Sequence, residues 1–153
     1  MKSIKSFIVA VLIPLAVGGL SALISRGGME TFSMIQKPPL TPPAIVFPIA
    51  WTILYILMGI ASYFVFVSDS PLKDSALRVY GIQLVFNFFW SIFFFNFGAY
   101  LFSFFWLLAM WLIIIICILL FFAIDKKAAY LMLPYLAWVT FAGYLNLGVY
   151  FLN

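Results

Sequence analysis

The sequence has no histidine, a single cysteine, and only eight basic and four acidic residues. Without histidine, and with one thiol, the usual zinc, copper or iron ligand sets cannot be assembled, and neither a Ser-His nor a Cys-His nucleophile can form. No metal site and no cofactor are expected. Cys117 lies in the apolar run Leu112 to Ala123; it can form no intrachain disulfide and reads as an inert, small apolar side chain. The net charge of +4 contains no run of like charge able to track a nucleic acid, so that class of partner is excluded. Glu30, Asp69, Asp74 and Asp125, like the basic residues, fall in termini, connections or helix edges. The absence of a charge at mid-membrane argues against proton-driven pumps and ion-coupled carriers. No filter-like loop and no repeat of the inverted-transporter kind is visible.

What the chain has in abundance is apolar side chains: 67% hydrophobic, 21% aromatic, 8% charged, with a mean hydropathy of +1.23. A soluble domain is about half apolar and a quarter charged. Lipid must therefore be the main solvent, and the fold class expected is an all-α integral membrane bundle forming one domain over residues 1–153. Lys2 and Lys5 followed by apolar sequence from Phe7 resemble a cleavable leader. The uncharged stretch Ser6 to Ser25 is long enough to span a bilayer, so a retained helix is expected instead.

Charges divide the chain into uncharged tracts, each of suitable length being a helix. Spans are expected at 6–25, 44–68, 79–96, 101–124 and 128–151, the long third tract being broken at Asn96-Phe97-Gly98-Ala99-Tyr100. Tyr80, Tyr100, Tyr130 and Tyr150 fall near the expected ends, as an aromatic belt requires. Five spans place Lys2, Lys5, Lys73, Arg78, Lys126 and Lys127 on one side and Arg26 and Lys37 on the other. For a multi-pass protein of the plasma membrane, here expected to be a bacterial cell membrane, the positive-inside rule then predicts an N-terminus in the cytoplasm. The connection 26–43, with Lys37-Pro38-Pro39-Leu40-Thr41-Pro42-Pro43, is stiff and extended and reads as a lid or a plain linker.

Polar and aromatic residues recur at helical spacing. Trp51, Tyr55, Gly59 and Ser62 share one stripe; Gln83, Asn87, Trp90 and Ser91 a second; Tyr135, Trp138, Ala142 and Asn146 a third. The fourth span, mostly Leu, Ile and Phe, is expected to face lipid. The stripes are consistent with hydrogen bonds between helices or with the walls of an aromatic pocket for a flat hydrophobic molecule. Pro14, Gly18, Ser21, Ala22 and Ser25 form a small-residue face suited to close helix packing.

The loop from Lys37-Pro38-Pro39 to Pro43, the run Phe47-Pro48-Ile49-Ala50-Trp51-Thr52-Ile53-Leu54-Tyr55 to Met58-Gly59, Gln83 to Trp90, and Pro134-Tyr135-Leu136-Ala137-Trp138 through Ala142 to Asn146 occur in that order. Together they resemble the translocator protein family, also called tryptophan-rich sensory proteins or peripheral-type benzodiazepine receptors. The resemblance implies a five-helix bundle, a homodimer, and a pocket for porphyrins such as protoporphyrin IX and for benzodiazepine-site ligands. Carried over residue by residue, it places Trp51, Tyr55, Asn87, Trp90, Trp138 and Ala142 in that pocket and Phe32 in the lid above it. Arg26 and Lys37 would stand at the rim to meet propionates. Leu40 departs from the tryptophan common at its position. Nothing basic follows Tyr144 or Tyr150, so the cholesterol-recognition pattern of animal members is lacking. The family implies a receptor or sensor for porphyrin. Light-dependent porphyrin degradation, with Trp51 and Trp138 as candidate catalytic residues, and transport of porphyrin or lipid are the alternatives.

Overall fold

A computed structural model describes residues 3–153; Lys2, counted above among the basic residues, lies outside them. The elements are α1 (Ile4–Ile24), a short α2 (Arg26–Phe32), α3 (Val46–Phe66), α4 (Lys73–Ser91) running into a π-helical turn (Ile92–Asn96), α5 (Tyr100–Ile124) and α6 (Lys126–Leu152). All of α1, α3, α4 with its π turn, α5 and α6 are long and apolar enough to cross a membrane. Among the described residues there is no strand, and the chain is an all-α membrane bundle.

The helix starts follow from capping. The Ser3 side chain accepts from the Ser6 N–H at 3.1 Å to open α1, and Asp125 accepts from the Lys127 N–H at 3.0 Å to open α6. The expected third span began at Val79, but α4 begins six residues earlier at Lys73. Charged residues can occupy the interfacial first turn of a membrane helix. Asp74 there suits the helix dipole, and Lys73 Nζ reaches back to the Phe66 carbonyl at 3.1 Å. That earlier start carries Tyr80 two turns inside α4, where it is buried against Phe121 rather than in an interfacial belt. The reversal between α4 and α5 falls where the sequence predicts it. There Gly98 adopts φ 57°, a left-handed conformation open to glycine. The expected loop 26–43 is helical in its first third, since Arg26–Phe32 forms α2.

Around the bundle the neighbours run α1, α3, α6, α5, α4 and back to α1. Two glycines bring α1 and α3 together. A Cβ on Gly59 would stand 2.7 Å from Val11 Cα and 2.8 Å from the Ala10 oxygen. That carbonyl has no helix partner, because Pro14, four residues on, has no N–H. A Cβ on Gly18 would fall inside the Tyr55 ring. The small face of α1 therefore packs as expected through Pro14, Gly18, Ser21 and Ser25, with Ala22 exposed.

The fourth span, α5, does not simply face lipid as expected. Ser103, Leu107, Met110, Ile114, Cys117 and Phe121 form a buried stripe along α5 that packs on α4 and α6. The helix most open to lipid is α1, of which only Pro14, Gly18 and Ser21 are buried. Many Leu, Ile and Phe side chains, such as Leu12, Ile53, Phe105 and Leu119, point outward, whereas Gln83, Asn87, Ser103 and Asn146 are buried inside. This arrangement suits a chain whose solvent is hydrocarbon.

Candidate ligand site between α3, α4 and α6

The buried polar residues form a chain in which every hydrogen bond runs the same way. The Tyr55 hydroxyl donates to Asn87 Oδ1 at 2.8 Å, Asn87 Nδ2 donates to the Tyr135 hydroxyl at 2.8 Å, and Tyr135 donates to Gln83 Oε1 at 2.6 Å. Gln83 Nε2 ends the chain at Met58 Sδ, 3.9 Å away. Three helices are thereby joined, and the orientation of each amide is set by its neighbours. Helical spacing produces this: Gln83 and Asn87 lie four residues apart on one face of α4.

Next to this chain stands an aromatic cluster. Trp51 stacks on Tyr55 with ring centres 5.5 Å apart and meets Tyr135 and Trp138 edge-on at 6.3 and 6.4 Å. Phe47 closes on Trp138 from the start of α3 at 5.9 Å. The Trp138 indole Nε1 is buried and has no hydrogen-bond partner. A buried donor without an acceptor costs about 1–3 kcal/mol, and the great majority of buried polar groups avoid that cost.

Trp90 belongs to a second cluster nearer the lid. Its Nε1 donates to Asn146 Oδ1 at 3.0 Å, and Asn146 Nδ2 donates to the Tyr100 carbonyl at 2.8 Å. Trp90 stacks on Phe94 of the π turn at 5.2 Å, and Phe32 of α2 lies 5.5 Å from Phe94 and 5.4 Å from Phe95. Ala142 is buried one turn from both Trp138 and Asn146 on α6, and links the two clusters.

Of the sequence-predicted residues, Trp51, Tyr55, Asn87 and Trp138 come together around Tyr135, while Trp90 and Phe32 come together around Phe94. The rim residues do not converge. Arg26 is exposed at the first residue of α2. The Lys37 ammonium donates to the Ser33 and Ile35 carbonyls at 3.2 and 3.1 Å and lies 5.1 Å from the Phe32 ring centre, so it serves the lid itself. Gly59 and Ser62 leave the expected stripe: the first faces α1 and the second bonds its own helix at the Gly59 carbonyl. The central roles of Tyr135, Gln83, Phe94 and Phe95 exceed what the stripes imply; only the four-residue step from Gln83 to Asn87 signals part of it.

Two surface depressions lie elsewhere. An apolar groove of about 390 Å³ runs between α1 and α4 past Ala16, Leu20, Gly81 and Phe88. A second of about 400 Å³ separates α2 from the α4–α5 turn. Neither is lined by Trp51, Asn87 or Trp138.

Residues 10–152 match the model of the TspO/MBR family. The chain is 34% identical over 156 residues to the tryptophan-rich protein TspO of Archaeoglobus fulgidus, an alignment covering 99% of each. It is 36% identical over 124 residues to the tryptophan-rich sensory protein of Cereibacter sphaeroides, covering 81% of this chain and 77% of that one. It is 32% identical over 139 residues to the translocator protein of Bos taurus, covering 88% and 82%.

Proposed function

Since this chain belongs to the TspO/MBR family of multi-pass membrane proteins, we propose that it is a receptor or sensor that takes up a flat, hydrophobic tetrapyrrole between α3, α4 and α6. Protoporphyrin IX is the ligand proposed, with benzodiazepine-site compounds sharing the pocket. The observation that carries this reading is the unpartnered Trp138 N–H set in an aromatic cluster. Trp51 and Trp138 would stack on the macrocycle, and the Trp138 indole would donate to a ligand acceptor. Asn87 already uses its oxygen on Tyr55 and one N–H on Tyr135, so a ligand amide would meet its remaining N–H or displace a tyrosine. Ala142 would leave room beside them, and Trp90 and Phe32 would close the lid side. Arg26 stands free at the surface for a propionate, whereas Lys37 would have to leave its carbonyls to meet one.

The test is a titration of the detergent-solubilised protein with protoporphyrin IX in the dark, followed by tryptophan quenching. Saturable binding that weakens in Trp51→Phe/Trp138→Phe and Asn87→Ala supports the site; no saturable binding sinks it. Illuminating the same samples addresses degradation: a light-dependent product lost in the tryptophan variants would assign Trp51 and Trp138 a catalytic part.

A second reading, passage of porphyrin or lipid across the bilayer, is favoured by the name translocator protein borne by the relative in Bos taurus. Proteoliposomes without protein-dependent porphyrin movement would exclude it. The protein is further proposed to work as a homodimer in a bacterial cell membrane, its N-terminus cytoplasmic. The apolar α1/α4 groove, with Gly81 open on its floor, offers a second copy a surface.

A further inference from the structure

The apolar groove between α1 and α4 lies on the lipid-facing side of the bundle, away from the tyrosine and amide chain. Ala16 and Leu20 of α1 form one wall, Val85 and Phe88 of α4 the other. Gly81 leaves its floor open, since an added Cβ there would meet nothing within 4 Å. At the lid side the Ser21 hydroxyl donates to the Phe88 carbonyl at 3.2 Å and ties the two helices together. From that bond down to Gly81 the groove follows α4 for about 10 Å.

Toward the other end each helix carries a cation on the face that lines the groove. Arg78 precedes Gly81 and Val85 at helical spacing on α4, and Lys5 precedes Ala16 and Leu20 on α1 by way of Val9 and Leu12. As the first and third spans, α1 and α4 run in the same direction. Measured from the Ser21–Phe88 bond, Arg78 then stands about 15 Å down the groove and Lys5 about 24 Å. Both are exposed. Among the described residues, Lys73, Lys126 and Lys127 at this end lie over phenylalanine rings, whereas Arg78 and Lys5 lie over none. Asp74, one turn before Arg78 on α4, is the acidic group beside them.

Filling such a groove in a bilayer gains nothing from the hydrophobic effect, because lipid tails are as apolar as its walls. A chain settles there because a hollow surface forgoes dispersion contacts. Which lipid supplies that chain is decided by charge where the groove meets the headgroups. We propose that the groove is a site for an anionic phospholipid of the leaflet at the basic end. One acyl chain lies over Gly81 between α1 and α4, Arg78 grips the phosphate, and Lys5 adds its charge from below. A guanidinium suits this role, since its planar N–H groups pair with two phosphate oxygens at once. Asp74 weakens the pair as a trap for a free small anion, so the headgroup is held only together with its chain. The site does not depend on the tetrapyrrole pocket, which uses the buried face of α4 at Gln83 and Asn87. The homodimer proposed above would close over this lipid rather than replace it.

The test uses the full chain in phosphatidylcholine vesicles containing phosphatidylglycerol with a photoactivatable group on one acyl chain. Phosphatidylcholine bearing the same chain is the control, and cross-linked peptides are read by mass spectrometry. Phosphatidylglycerol should label 16–20 and 81–89 in excess over the control, and should match it on the outward face of α5 at Leu112 and Leu119, both exposed. Arg78→Gln should cut the excess about fivefold, while Arg78→Lys keeps most of it. Gly81→Phe should remove groove labelling by both probes; unchanged labelling of α5 shows that the variant is folded and inserted. Free glycerophosphate should not compete.

Equal groove labelling by the two probes, or an excess that survives Arg78→Gln/Lys5→Gln, overturns the site. Competition by glycerophosphate would replace it with a site for a free anion. A groove that neither probe labels, with Gly81→Cys joining two chains by a disulfide, would give it to a second copy instead.

Discussion

The Tyr135 hydroxyl, fully buried, both accepts and donates within the interior chain through a single oxygen. Tyr135→Phe leaves a Gln83 oxygen and an Asn87 N–H without partners in a medium that offers no water. The expected loss is about 1–2 kcal/mol, since hydrogen bonds between membrane helices average below 1 kcal/mol but unmade buried ones cost more. Thermal unfolding of the purified protein in detergent measures it. Adding Gln83→Leu should recover part of the loss, because one abandoned group goes with it; a strictly additive double variant would show that the two side chains are not coupled. The indoles supply a matched comparison. Trp90→Phe abandons Asn146 Oδ1, whereas Trp138→Phe removes an N–H that has no partner. Trp90→Phe should therefore lower stability by about 1 kcal/mol more than Trp138→Phe, while Trp138→Phe should weaken porphyrin binding. If Trp138→Phe is the more destabilising, its N–H has a protein partner and loses its claim on a ligand.

Among the elements, the α1–α3 crossing depends most on single atoms. Gly59→Val would place a side chain into the α1 backbone at Ala10 and Val11, which cannot yield as a flexible side chain can. Overpacking of this kind costs about 1–3 kcal/mol, and here it should reach the top of that range, read as lost thermal stability and lower yield of folded protein. Gly19, one residue from Gly18, has nothing near an added Cβ. Gly19→Ala should be neutral or slightly stabilising, and a large loss there would mean that α1 is rotated from the orientation described. The existence of five spans was legible because hydrocarbon forbids irregular backbone, leaving each uncharged tract only one form. The start of α4 was not legible from charge, because a lysine and an aspartate can sit within a helix wherever its first turn reaches the interface. The site was legible as residues but not as contacts: spacing puts Gln83 and Asn87 on one face, but no local pattern says that Tyr55 and Tyr135 approach it from opposite sides. Gly148, on which Pro38 packs, and Asn153, which bonds Gln36, gave no signal at all, since the meaning of a missing Cβ or a terminal amide lies more than a hundred residues away.

For the molecule as a whole, the two ends of the bundle differ in charge and in construction. Alternation of the five spans collects Lys5, Lys73, Arg78, Lys126 and Lys127 at one end. Arg26, Lys37, the lid, the π turn and the end of α6 lie at the other. At the basic end the lysines lie over aromatic rings, Lys73 over Phe66, Lys126 over Phe122 and Lys127 over Phe64, 5.2–5.7 Å from the ring centres. Such long cationic stems on ring faces anchor an end at the headgroup level without burying charge. In the proposed topology, which follows the positive-inside rule, that end would lie in the cytoplasm and the lid would face outward, and a ligand arriving at the lid would then come from outside the cell. Met34, 86% exposed, and Ser75, exposed on the first turn of α4, report the two ends, while Cys117 is 0% exposed and silent. A membrane-impermeant maleimide applied to intact cells should label Met34→Cys at once and Ser75→Cys only after permeabilisation. The reverse pattern would turn the lid toward the cytoplasm, where the pocket would receive ligand from the cell's own synthesis instead of from its surroundings.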